Sequence, residues 1–321
     1  VTGDGCVCTG LQPGGVPGLA WRRRSAAARC VDICLATHQC GKAGQHMTGS
    51  STRALSPVCL VRSLWQHRDL LRQLVWRDIA QRYRGSVLGL AWSLLTPLLM
   101  LLVYTFVFSV VFPSRWGALP QSTTHFALVI FIGLCVHGFF AEVIQRAPGL
   151  ILAHQNYVKR VVFPLEVLPA VTVCVGVFQW LVSVLVLVAA QWWLTGGLPV
   201  SALWLPVVMA PLVLVALGAA WFIAALGVFM RDIAAVVGPL TTVLIFLSPV
   251  FYAQEAVPAP FRQWLGLNPL TFIIEQSRAV LLAGQMPDWT GLGIYTALAL
   301  LVAWAGYVWF QLTKRGFADV L

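Results

Sequence analysis

The chain has 321 residues, 59% of them hydrophobic and only 10% charged, with a formal net charge of +10 and a mean hydropathy of +0.82. A soluble domain carries about 25% charged residues. These proportions exclude a soluble globular enzyme, and they equally exclude a disordered polypeptide, which lacks the apolar residues for a core. Most of the chain must sit in lipid, where a helix needs roughly 20 apolar residues to cross a hydrocarbon core about 30 Å thick.

The first 46 residues stand apart. They hold five of the eight cysteines (Cys6, Cys8, Cys30, Cys34, Cys40), Gly/Pro clusters and the run Arg22-Arg23-Arg24, without a sustained apolar period. Ser25-Ala26-Ala27-Ala28-Arg29 is too weak for the apolar region of a signal peptide. Cys30, Cys34, His38 and Cys40 match no standard zinc spacing, so neither a metal nor a cofactor is expected. Disulfides are not expected from these cysteines, nor from Cys59, Cys135 and Cys174, which fall in cytoplasmic or membrane segments. Met47 opens a more ordinary segment. The contrast predicts that translation begins at Met47, with 1–46 as upstream sequence or a disordered tail. Residues 47–86 then form a cytoplasmic N-terminal segment and 87–321 the transmembrane domain.

Within 60–84, apolar residues at 61, 64, 65, 71, 74, 75 and 79 recur near the helical period and the opposite face is rich in arginine. This is an amphipathic helix along a headgroup layer. It either anchors only, or also touches a cytoplasmic partner. Arg77, Asp78, Arg82 and Arg84 lie too close to the membrane for a nucleic-acid patch.

Gaps between charged residues locate the spans. Positions 85–114, 116–141, 167–230, 233–254 and 289–313 carry no charge, and the turn Thr195-Gly196-Gly197-Leu198-Pro199 divides the longest gap in two. Six helices follow, near 88–112, 126–145, 166–193, 203–229, 237–253 and 291–312. Helix is the default because lipid offers no partner for a bare backbone amide, and the short alternating segments of a β-barrel are absent. The runs 263–274 and 279–287 are too short to cross. They fit a re-entrant helical hairpin, or else an ordinary interfacial loop.

Lysine and arginine set the orientation. With both termini cytoplasmic, twelve basic residues after residue 60 lie inside and three (Arg115, Arg262, Arg278) outside. Trp116, Trp192, Trp193, Trp204, Trp264 and Trp289 fall near the outer ends, as an aromatic belt does. The polar residues expected in or near the membrane are His137, Glu142, Gln145, Glu166, Gln179 and Gln191. Glu142 and Glu166 are expected to form ion pairs with Arg146 or Arg160; no chain of carboxylates crosses the membrane to make a proton relay. Glu275 and Arg278, at i and i+3, are expected to buttress the hairpin.

Four ordered blocks carry a resemblance. RDIAQRYRGSVLGLAWSLLTPLLMLLVYTFVFSVVF (77–112), NYVKRVVFPLEVLP (156–169), FMRDIAAVVGPLTTVLIFLSPVFY (229–252) and LNPLTFIIEQSRAVLLAG (267–284), with the terminal KRGFADVL, resemble type-2 ABC permeases that export bacterial O-antigen, capsule or teichoic-acid chains. The likeness covers roughly 60–321; the family generally lacks a segment like 1–46. It implies an all-α integral membrane protein of six transmembrane helices with an N-terminal amphipathic interface helix and an outer re-entrant helical hairpin, placed in the bacterial inner membrane. It implies a homodimer over two ATP-binding cassette subunits, moving a lipid-linked glycan. Independently, no G-x-x-x-x-G-K-[ST] phosphate loop occurs, since Gly41-Lys42 is followed by Ala43, so ATP hydrolysis requires a separate subunit.

On this resemblance, Arg77, Asp78, Arg82 and Tyr83 of the interface helix and Asn156, Tyr157, Lys159 and Arg160 of a short coupling helix contact the ATPase; Lys159 and Arg160 otherwise serve only as topology anchors. Tyr104, Phe108 and Phe112 share a face of the first span, and Phe246, Phe251 and Tyr252 cluster at the outer end of the fifth. Aromatic rings offer rigid contact area to the apolar faces of sugars, so these six line a channel or else face lipid and neighbouring helices. Catalytic residues are not expected: no Ser-His-Asp or Cys-His set shares a face. The rival expectations are a type-2 ABC permease for a small drug or lipid, and a non-transport membrane enzyme or scaffold.

Overall fold

Charge-free apolar runs become helices, and the computed structural model describes residues 62, 64–107, 123–155, 163–252, 254, 257–266 and 268–320, all within one compact unit. Residues 1–46, 108–122 and 156–162 lie outside the described residues. The helices are α1 (Arg68–Tyr83), α2 (Ala91–Phe106), α3 (Thr123–Arg146), α4 (Val167–Thr195), α5 (Leu205–Phe229), α6 (Ile233–Leu247), α7 (Ala259–Gly266), α8 (Pro269–Leu281) and α9 (Trp289–Thr313). No strand occurs among the described residues.

Four stretches are long and apolar enough to cross a membrane: Phe126–Arg146, Val167–Thr195, Val200–Phe229 and Trp289–Gly316. α2 and α6 are shorter apolar helices of 16 and 15 residues. The fifth expected span, 237–253, is corrected: its helix begins at Ile233 and stops at Leu247. Ser248 precedes Pro249 and takes an extended backbone, φ −90° and ψ 148°, because the proline ring disfavours α geometry in the preceding residue.

Local chemistry sets several ends. Gly196 closes α4 at φ 72°, where only glycine is unstrained. Asn268 caps α8 by accepting from the Leu270 amide, with Pro269 at the first helical position. Asp288 caps α9 by accepting from the Thr290 and Gly291 amides. The hairpin expectation also needs correction. The short helices here are α7 and α8, whereas the second arm expected over 279–287 is non-helical from Leu282 on, turning through Gly284 at φ 66°.

The main core gathers Leu128, Phe131 and Phe139 of α3, Trp180 and Leu187 of α4, Val208 and Leu212 of α5, and Leu270 and Ile273 of α8. α1 lays Leu74 and Ile79 on Val167, Val171 and Val175 of α4. Part of the stripe expected to face headgroups therefore faces protein, while Trp65 and Trp76 stay exposed. α8 lies beside the start of α9: Tyr295 donates to the Pro269 carbonyl at 2.6 Å, and the Asp288 amide donates to Gln276 Oε1 at 2.9 Å.

α5 and α9 make the closest helix contact. A Cβ on Gly218 would stand 2.5 Å from the Val302 carbonyl oxygen, and one on Gly306 would overlap the Gly218 carbonyl. Small residues let backbones approach in this way, and dispersion across such an interface replaces the hydrophobic drive that lipid removes. Gly293, also on α9, has nothing within 4 Å of its Cβ position. Gly218→Leu and Gly306→Val are therefore expected to cost about 3 kcal/mol or more through overpacking, and Gly293→Ala to leave stability within about 1 kcal/mol. Thermal unfolding of the purified protein in detergent checks the ranking.

Candidate functional site

The bundle has two chemically different ends. One collects Arg82, Arg146, Arg231 and Lys314; the other collects Trp192, Trp193, Trp204 and Trp289, with the last two rings edge to face at 5.0 Å.

At the basic end, α1 crosses the ends of α3 and α4 and brings its polar face to theirs. Arg82 pairs with Glu142, their side chains 18% and 22% exposed. Arg146 Nη1 donates to Asp78 Oδ2 at 3.2 Å, with both side chains more than a third exposed. Tyr83 donates to Gln179 Oε1 at 3.2 Å, and Gln179 Nε2 donates to the Ser93 carbonyl at 3.1 Å, joining α1, α4 and α2. A cavity of about 210 Å³ opens here, lined by Arg77, Asp78, Gln81, Arg146, Gly149 and His154 among others. Asn156, Tyr157, Lys159 and Arg160 lie outside the described residues, but the flanks are fixed: Ile151 is fully buried, and Phe163 packs against the apolar cluster of α1 and α4.

The expected partner of Glu142 needs correction, while Arg160, expected near Glu166, lies outside the described residues. Glu142 pairs with Arg82, while Arg146 is turned to Asp78; α1 lies across α3 and offers each a partner from a segment remote in sequence. Glu166 meets Lys314 Nζ at 3.6 Å, because the last turn of α9 returns beside the start of α4. Trp221 also donates to the Glu166 carbonyl at 3.0 Å.

Between the two ends, His137 Nε2 donates to the Thr241 carbonyl at 3.0 Å and Gln145 Nε2 donates to Thr241 Oγ1 at 2.7 Å. A second cavity, about 300 Å³, lies between α2, α3 and α4; Tyr104, Phe131, His137, Glu142, Gln179 and Trp180 belong to its walls. Toward the Trp-rich end, Phe246 and Phe251 stand with ring centroids 6.0 Å apart, and Tyr252 donates to the Phe246 carbonyl at 3.1 Å. These three are together; Tyr104 belongs to the cavity of α2–α4, and Phe108 and Phe112 lie outside the described residues. Apolar stripes remain uncovered on several helices, among them Leu94, Leu98, Leu102 and Phe106 on α2, Val236, Leu240, Val243 and Leu247 on α6, and Ile294, Leu298 and Leu301 on α9. Stripes at helical spacing on that scale are unusual for a surface meeting water.

Arg278 is the most heavily bonded cation of the described residues outside the basic end. It is 7% exposed, and its Nη1 meets Glu275 at 3.0 Å, Nε donates to the Val129 carbonyl at 3.2 Å, and Nη2 donates to the Val250 carbonyl at 2.9 Å. One guanidinium thus joins α8, α3 and the turn after α6. The i, i+3 spacing pointed to Glu275 alone; the two carbonyls had no sequence signal.

Residues 69–282 match the family described as ABC-2 type transporter. This chain belongs to that family. As an ABC-2 membrane protein it is similar over nearly its whole described length to "O-antigen export system permease protein RfbA" of Myxococcus xanthus, 29% identical over 271 residues covering 82% of this chain and 99% of the relative. It is 26% identical to a Klebsiella pneumoniae protein of the same name, covering 79% of this chain and 95% of the relative. It is 22% identical to "Polysialic acid transport protein KpsM" of Escherichia coli, covering 74% and 91%.

The ion pairs differ in worth. Arg278→Ala is expected to cost about 2 kcal/mol or more because it leaves the Val129 and Val250 carbonyls without this donor, about 1–3 kcal/mol for each buried group left unsatisfied. Arg278→Lys rescues little, since an ammonium lacks the planar fork. Asp78→Ala, at an exposed pair, should cost about 1 kcal/mol or less. Thermal unfolding of the three variants beside wild type decides the order.

Proposed function

We propose that this chain is the membrane permease subunit of an ATP-driven exporter that carries polysaccharide, attached to a lipid, out of the bacterial cytoplasm. The observation that carries the reading is the end-to-end similarity to two O-antigen export permeases and a polysialic acid transport protein, three glycan transporters matched over 91% or more of their length. No observation favours a small drug or lipid as cargo.

In this reading α2 and α6 join the four long helices to make six transmembrane segments, and α7 and α8 form a re-entrant hairpin. Residues 87–321 are the transmembrane domain, 47–86 the interface segment, and 1–46 a tail or upstream sequence. The basic end is cytoplasmic, supported by the count of twelve basic residues against three. Six helices scarcely enclose a glycan, so two copies share one path, and the uncovered stripes of α2 and α6 are among the surfaces available for that pairing. Two ATP-binding subunits dock beneath Arg77, Asp78, Arg82 and Tyr83, and beneath Asn156, Tyr157, Lys159 and Arg160. The aromatic residues Tyr104, Phe108, Phe112, Phe246, Phe251 and Tyr252 line the path. The chain itself breaks no covalent bond; it supplies the route and receives motion.

Loss of the gene should leave completed glycan inside the cell and none at the surface, measured by fractionation and glycan staining. Normal surface glycan would sink the reading. Lys159→Glu with Arg160→Glu should abolish export while membrane insertion persists; unchanged export removes both residues from the coupling surface.

A further inference from the structure

The last three turns of α3 carry contacts to two separate elements on neighbouring faces. On one side Glu142 and Arg146, at i and i+4, meet Arg82 and Asp78 of α1. On the other, His137 and Gln145 meet Thr241 of α6 through its carbonyl and its hydroxyl. Beyond these bonds α6 is held by a narrow apolar strip, Ile233, Val237, Leu244 and Ile245, packed on the main core. Only Val237 and Thr241 are buried along its length, and the stripe Val236, Leu240, Val243 and Leu247 is uncovered.

The contact also falls where the helix is weakest. Pro239 lies two residues before Thr241, removing the amide that would bond the Ala235 carbonyl. The Thr241 hydroxyl itself donates to the Gly238 carbonyl at 2.8 Å while accepting from Gln145. An interrupted helix held by a few directional bonds at its break follows its partner when that partner shifts, because hydrogen bonds weaken steeply with distance and angle. α3, at 24 residues, is the stiff member.

We infer that Gln145, Thr241 and His137 are positioning residues that pass movement of α1 through the basic end of α3 to α6, tying ATP hydrolysis beneath the membrane to glycan movement along α6. This rests on the exporter reading. None of the three touches nucleotide or needs to touch glycan.

The complex with its ATP-binding subunit, in proteoliposomes, carries the test. Thr241→Val keeps the shape and removes the hydroxyl, Gln145→Leu removes the donor, and Thr241→Ser keeps the hydroxyl. Glycan moved per ATP hydrolysed should fall roughly tenfold in Thr241→Val and in Gln145→Leu, the scale of one lost hydrogen bond. The double variant should be no worse than either single, as one shared contact requires, and Thr241→Ser should stay near wild type. Membrane content and ATP hydrolysis should hold steady. An unchanged ratio, or losses that multiply in the double variant, would overturn the inference. So would disappearance of both single variants from the membrane, which makes the contact one of folding. Failure of the exporter reading appears separately, as a wild-type complex that hydrolyses ATP and moves no glycan. Movement of α6 is then read from maleimide labelling of Val243→Cys with and without ATP. Gln145→Leu should abolish the ATP-dependent change, and its persistence there would overturn the inference on its own.

Discussion

Hydrocarbon offers no water to a backbone carbonyl, and that single fact organises the polar chemistry of this protein. Wherever a helix bends, starts or stops, the leftover oxygen must find a donor within the chain. The donors come from other helices. Arg278 serves Val129 and Val250, Gln191 serves Leu281, Ser201 serves Val280, Trp221 serves Glu166, and His137 serves Thr241. Three of the six polar residues flagged as out of place in an apolar run, His137, Gln179 and Gln191, are such donors. They define where the short elements α6 and α8 attach to the long ones.

Two grades of contact result. α5 meets α9 by backbone against backbone around Gly218 and Gly306, over a wide apolar surface that includes the Trp221–Tyr307 ring pair. α6 meets α3 by a few directional bonds at Thr241 and a narrow apolar strip around Val237. The first kind resists displacement at every point along its length; the second is directional and sparse. A permease that must stay folded while part of it moves needs both, and this bundle has both.

How much was legible beforehand follows from the range of each interaction. The long helices α3, α4, α5 and α9 were visible because a charge in lipid is costly, so charge-free runs reveal them, with the Thr195–Pro199 turn parting α4 from α5. The caps at Asn268-Pro269 and Asp288 are local and were readable in principle. α6 was drawn too far because its apolar run continues past Ser248-Pro249, where hydropathy is blind to the backbone restriction that ends the helix. The partner of Glu142 was misread, and the meeting of Glu166 with Lys314 was not foreseen, for a different reason. Arg82 is 60 positions from Glu142 and Lys314 is 148 from Glu166, and no periodicity reports on which segments fold back beside one another. The same holds for Gln145 and Thr241: each stood out as polar or unremarkable alone, and only the crossing of α3 and α6 makes them a pair.

The glycine seam has a further consequence. Side chains at ordinary helix crossings behave as soft bearings, changing rotamer to let one rod slip past another. Where the bearing is peptide on peptide there is nothing to rotate, and a slide of α5 along α9 would drive the Gly218 carbonyl into the next residue's Cβ. The two rods are thereby welded into a chassis, and drift in the protein's sequence is barred at that seam by the bulk of a single methyl group while the lipid-facing sides remain free to vary.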